Sequence, residues 1–142
     1  MKERIQRAYD NHKRGYNCAQ SVVCAYSDLL GVDEEILFRM SEGFGLGMGR
    51  MDTCGAVTGM LMAVGLLKST GDLKNCKSKP ETMKVVKEMQ EAFLEKNGSI
   101  MCREIKGVDT KKVLRSCDGC IEDAVRMLGE RFFSDKLMPE EH

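Results

Sequence analysis

"TCGAVTGMLMAVGLL", residues 53–67, contains the longest apolar run of the chain, Ala56 to Leu67. It is too short to span a bilayer as a helix, which takes about 20 residues. It shows no alternation of polar and apolar positions, so it reads as a helix of the core that opens at Thr53 or Cys54 and continues to about Leu67. Outward from it, apolar positions recur at helical spacing, and alternating runs bounded by turn signals are hard to find. The expected fold is an all-α single domain over 1–142, a bundle of about five to six helices.

The other helices follow from caps and stops. The first covers about Lys2 to Lys13, with Ile5, Ala8 and Tyr9 on one face and an end near Gly15. "NCAQSVVCAYSDLL" gives the second, with Asn17 as cap, Gln20 as capping-box partner and Gly31 after its end. In "VDEEILFRM", Asp33 caps a third helix whose first-turn Glu34 and Glu35 suit the helix dipole. Pro80 opens a fifth, to about Lys96, with Val85, Met89 and Ala92 inward, Val86 and Phe93 beside them, and Lys84/Glu88 and Lys87/Glu91 as outward pairs. "NGSIMCREIKG" reads as a short helical turn capped by Ser99 and closed by Gly107. A last long helix begins near Ser116 or Cys117 and carries Ile121, Ala124, Val125 and Leu128 towards Phe132 and Phe133.

Composition narrows the function. With 142 residues the chain buries a core without help from metals or bridges, so such features would serve function rather than folding. Basic and acidic residues balance at 22 each, which argues against nucleic-acid binding. The start "MKERIQRAYDNHKRGY" is amphipathic and unlike a signal peptide, so a cytoplasmic protein without membrane insertion is expected. Seven cysteines are many for a reducing compartment, and the odd count does not suit a disulfide framework, which leaves redox chemistry or metal binding. The histidines, His12 and His142, are far apart in the chain and form no metal motif.

Where the thiols fall is the informative pattern. Asn17-Cys18, Thr53-Cys54 and Ser116-Cys117 each put cysteine after a capping residue, and Cys102 stands three after Ser99. All four then occupy first turns, where free N–H groups and the helix dipole stabilise a thiolate. Arg50 and Arg103 are nearby sources of positive potential. Buried inert thiols are the bland alternative, since cysteine is among the most buried residue types. Cys24, six residues past Cys18 among Val22, Val23 and Ala25, reads as packing, and Cys76 falls in a loop. Cys117 and Cys120 form C-D-G-C, a spacing common to redox couples and metal knuckles.

Gly43, Gly45, Gly47 and Gly49 fit neither a dinucleotide fingerprint nor a P-loop, and no strand precedes them. They suit tight turns or close approach. Gly55 and Gly59 share one helix face, so another helix can approach Cys54 closely. Each costs up to about 1 kcal/mol against Ala in a helix, which calls for an offsetting gain. Met48, Met51, Met60 and Met62 cluster here as core filling.

"GYNCAQSV", the glycine-rich run, "CGAVTG", "SIMCREIKG" and "CDGCIEDAV" together resemble the C_GCAxxG_C_C family of redox-active proteins, from about Gly15 to Leu128. The resemblance implies a single domain of about this length with four characteristic cysteines. Position by position it implies Cys18, Cys54 and Cys102, with Cys117 or Cys120 as the fourth. Cys117 is favoured because Ile121 and Ala124 follow it at helical spacing. Cys24 and Cys76 lie outside the pattern.

Three readings result. In the first, the four cysteines carry thiol–disulfide or electron-transfer chemistry with a redox partner protein or small thiol. Cys54 attacks, and Cys18, Cys102 or Cys117 resolves. In the second, Cys18, Cys54, Cys102 and Cys117 (or Cys120) bind an iron–sulfur cluster or zinc. In the third, the cysteines are packing residues of a self-associating module, a homodimer formed through "GMLMAVGLL".

Overall fold

The computed structural model describes residues 1–137; His142 and the end of the expected domain lie outside the described residues. These residues form α1 (Lys2–Lys13), α2 (Cys18–Cys24), α3 (Ser27–Leu30), α4 (Glu34–Ser41), α5 (Gly55–Lys68), α6 (Lys79–Asn97), α7 (Cys102–Ile105), α8 (Cys117–Phe132) and α9 (Ser134–Leu137). The fold is all-α, and its six helices of seven residues or more match the expected number. Thr53 and Met101 pair as an isolated antiparallel bridge.

Most starts and stops obey the local chemistry. The Asn17 side chain accepts the Gln20 N–H while the Gln20 side chain accepts the Asn17 N–H, a complete capping box at α2. Ser116 accepts the Gly119 N–H at the start of α8, and Pro80 lies in the first turn of α6. The expected second helix is two pieces, because the chain turns at Ala25 and Tyr26 before α3. Tyr26 explains the break: it is fully buried, donates its hydroxyl to Val125 O at 2.6 Å and stacks on Phe133. That tertiary anchorage overrides helix continuation.

Three caps differ from expectation. Asp33 precedes α4 without a side-chain cap bond. Thr53 lies in the bridge, and Cys54 itself is the N-cap of α5. Met101, not Ser99, precedes α7. The Ser99 hydroxyl accepts the Met101 N–H and turns to Glu104, bracing the turn from outside.

The core joins α1, α2, α5, α6 and α8, with Val22, Met60, Val64, Phe93, Ile121 and Leu128 nearly inaccessible to solvent. On α6 the inward stripe is Val85, Met89 and Phe93, spaced by four; Ala92 is exposed, one position off that stripe. Glu88 pairs with Arg131 of α8 at 2.8 Å, tying the solvent sides of the two helices. Below them, the fully buried Asp123 side chain holds Arg115 through two bonds at 3.1 and 3.0 Å, Asn97 at 3.1 Å and Lys96 at 2.8 Å. A buried carboxylate is tolerable when so many donors replace its water.

No helix among the described residues is long and apolar enough to cross a membrane. Much of "GMLMAVGLL", the segment offered above for self-association, is spent inside the chain: Met60, Ala63 and Val64 are fully buried, and Leu66 is its exposed large residue.

Candidate functional site

Helix packing and one pair of backbone bonds bring distant cysteines together. α2 lies against the glycine face of α5. A Cβ on Gly59 would stand 2.6 Å from Ala19 O, and one on Gly55 would stand 3.1 Å from the Cβ of Cys18. The two glycines thus seat Cys18 directly beside the start of α5, the close approach expected from their spacing. On the other side, the Cys54 N–H donates to Ile100 O and the Cys102 N–H donates to Asp52 O, both at 2.7 Å. This short ladder sets Cys54 and Cys102 in neighbouring segments.

The glycine-rich loop closes over Cys102. Gly47 has φ +57, and a Cβ there would lie 2.5 Å from Asp52 N and 3.0 Å from the Cβ of Cys102. Leu46, Met48 and Met51 also adopt positive φ, an unfavourable conformation for side chains of this kind. Helix α8 supplies the remaining thiols. Cys117 and Cys120, three apart, share one helix face, and both turn to the same space.

The result is one cavity of about 200 Å³ whose lining includes Cys18, Cys54, Cys102, Cys117 and Cys120 together with His12, Lys106 and Arg115. All four expected site cysteines and the alternative fourth are in it. Cys24 is not: it is buried in the core at 1 % exposure, its thiol faces Glu34 O at 3.9 Å, and burial pushes its pKa up to about 12. Cys76 is exposed in the loop before α6.

Within the cavity the sulfurs are engaged in pairs. The acidity of Cys54 is set first by Cys120 beside it, and that of Cys117 first by Cys18. Cys54 receives the Cys120 S–H and, as N-cap, the N–H groups of Ala56 and Val57; together these outweigh burial and bring its pKa down to about 7. Cys117 receives the Cys18 S–H and lies near Lys106 and His12, which bring it down to about 6. Their partners move the other way. The bond to Cys117, burial and the surrounding thiolates raise Cys18, and the bond to Cys54 with burial raises Cys120. Burial also raises Cys102, with Lys106 one turn later opposing it.

This corrects the expectation that all four first-turn cysteines are acidified. Cys18 and Cys102 do begin helices, yet both are raised. At Cys18 the proton stays on one of two neighbouring sulfurs, since two like charges so close are disfavoured, and at Cys102 burial outweighs the helix start. The expected arginines do not contribute: Arg50 is exposed, and Arg103 faces Asp109 at 3.8 Å. Lys106 and His12 take that role, and His12 is itself set by Asp118 at 2.7 Å. Lys106 had a legible signal, four residues after Cys102 on one helix face; His12, more than a hundred residues from Cys117, had none. Cys120, the weaker candidate in sequence, is the largest influence on the acidity of Cys54. The C-D-G-C sulfurs engage one sulfur each from elsewhere.

Among the described residues, no group of three or more His, Cys, Asp or Glu is disposed to hold a metal ion. The sulfurs cluster around a cavity as pairs, not as a converging ligand set.

An all-helical chain that directs five thiols into one cavity, two of them acidified, belongs to the class of proteins equipped for cysteine chemistry. Residues 16–131 match the model of a family described as "Putative redox-active protein (C_GCAxxG_C_C)", and the chain belongs to that family. No curated protein and no solved structure matches it.

Proposed function

We propose that this protein is a dithiol–disulfide redox carrier whose working groups are the pairs Cys54/Cys120 and Cys18/Cys117. The reading is supported by the one cavity that five cysteines line and by the opposed acidities within each pair, Cys54 lowered beside a raised Cys120 and Cys117 lowered beside a raised Cys18. A thiolate beside a protonated thiol is the arrangement for two-step exchange. The thiolate of a pair attacks one sulfur of an incoming disulfide R–S–S–R, forming protein–S–S–R and releasing R–S⁻. The neighbouring thiol gives its proton to that R–S⁻ and attacks the protein sulfur of the mixed disulfide, releasing the second R–S⁻. The substrate is reduced to one thiol and one thiolate, and the pair is oxidised to a disulfide. Run backwards, the same steps oxidise a dithiol.

Cys102 enters this reading as a third buried thiol on the cavity, near Cys54 and Cys117 in electrostatic range. The partner is a redox protein or a small thiol.

The test is anaerobic purification with metal analysis and an absorption spectrum, then thiol counting across a series of dithiothreitol redox buffers. The reading requires that four of the seven thiols disappear and return reversibly. Stoichiometric iron or zinc that blocks those thiols, or a thiol count that does not respond to the buffer, refutes it.

A further inference from the structure

The two pairs are not equivalent in access. Cys18 and Cys117 are half-buried, whereas Cys54 is 7 % exposed and Cys120 2 %. The cavity they share is about 200 Å³, smaller than the roughly 300–1,000 Å³ of a drug-sized ligand site and too little for a partner's polypeptide loop to enter. Its exposed and half-exposed lining residues, Leu46, Lys106, His12, Asn17, Arg115, Cys18 and Cys117, form the mouth, and the inner pair lies behind them. A protein partner therefore reaches only the outer sulfurs.

Resting on the dithiol–disulfide reading above, we propose that the pairs are consecutive stations of an internal relay: a disulfide is made at Cys18–Cys117 by the partner and passed to Cys54–Cys120. The transfer is chemically closed. Once the outer pair is oxidised, the Cys54 thiolate attacks the Sγ of Cys18, which lines the same cavity and whose Cβ packs against Gly55, the residue after Cys54. A Cys18–Cys54 disulfide forms and Cys117 leaves as thiolate. Cys117 is the right leaving group, since its pKa is brought down to about 6 and low-pKa thiolates leave faster. Cys120 then attacks the Sγ of Cys54, closing the inner disulfide. Cys18 departs and takes the proton that Cys120 gives up, in keeping with the raised pKa of both. One disulfide, one thiolate and one thiol proton stand on each side, so no outside oxidant, reductant or base is consumed. A second partner encounter then oxidises the outer pair again, so one chain stores four electrons when fully reduced.

The experiment follows the order of the two bridges. Fully reduced full-length protein is mixed anaerobically with less than one equivalent of oxidised glutathione and quenched in acid at successive times. Its cross-links are identified by non-reducing digestion and mass spectrometry. The relay requires the Cys18–Cys117 bridge to appear first and to decay as Cys54–Cys120 grows after a lag. In Cys54→Ser the outer bridge accumulates, and in Cys117→Ser the inner bridge forms at least tenfold more slowly. An inner bridge that forms without lag, at an unchanged rate in Cys117→Ser, overturns the relay but leaves the carrier reading standing. Absence of both bridges overturns the two together. Should a variant misfold, the wild-type time course decides alone.

Discussion

Removing the Cys120 thiol is the sharpest perturbation of the site. Its S–H is the largest influence lowering Cys54 from an ordinary 9.0 to about 7; the two backbone N–H bonds come after burial, which opposes them. Cys120→Ala should therefore raise Cys54 from about 7 towards 9.0, and a full return sets the upper limit of the effect. That two-unit depression corresponds to about 3 kcal/mol of preference for the thiolate, at 1.36 kcal/mol per unit. At pH 7 the thiolate fraction then falls from about one half to about 1 %, a roughly fiftyfold loss. A more basic thiolate is intrinsically more nucleophilic, and a Brønsted slope of 0.4–0.5 restores about eightfold. The net expectation is reaction roughly sixfold slower at pH 7 and roughly eightfold faster at pH 10. The assay is labelling with methyl methanethiosulfonate, small and neutral, with modification at Cys54 followed by mass spectrometry from pH 5 to 10. A Cys54 midpoint that remains near 7 in Cys120→Ala refutes the reasoning, because the helix start alone would then be holding the thiolate.

Other outcomes follow from the same geometry. Gly59→Ala places a methyl against Ala19 O, costs about 2 kcal/mol in urea unfolding by overpacking and slows the exchange chemistry of Cys18. Gly65→Ala, with nothing within 4 Å of the new Cβ, instead stabilises α5 by up to about 1 kcal/mol. Asp123→Ala leaves Arg115 and Asn97 without their buried acceptor and costs about 3 kcal/mol in the same assay. Cys24→Ala leaves the reversible thiol titration of the other cysteines unchanged, since Cys24 is outside the cavity. Stability of the reduced protein rises with pH between 6 and 9. Cys54 and Cys117 are depressed on folding, so their contribution is complete above 9.0 and is lost as pH falls through about 7 and about 6. The raised Cys18 and Cys120 lose theirs only above 9.0, so they do not cancel the trend. Thermal unfolding of the reduced protein across that range checks the slope, which should vanish once the pairs are oxidised.

Local signals carried much of the fold. The Asn17 capping box, Ser116, Pro80 and the apolar spacing of α8 each state a helix boundary or face in a few neighbouring residues. What escaped them was tertiary: Tyr26 is pulled into the core by Val125 and Phe133, and that contact divides the second helix. At the site, Gly55 and Gly59 announced a close neighbour, and the cysteines at helix starts announced the cavity's residues. Which sulfur would pair with which was not legible, because Cys120 meets Cys54 only through the packing of α8 on α5. The direction of each acidity was hidden for the same reason. A helix start favours the thiolate at any of the four, but the neighbouring sulfur and burial raise Cys18, while Cys117 is lowered, first by Cys18 and then by Lys106 and His12 nearby.

The central claim is the pairing itself, and the cross-links of the fully oxidised chain test it most directly. Non-reducing digestion and mass spectrometry should find Cys54 joined to Cys120 and Cys18 joined to Cys117, with Cys24, Cys76 and Cys102 alkylatable. A Cys117–Cys120 bridge within C-D-G-C, or Cys102 bridged to Cys54, would contradict it.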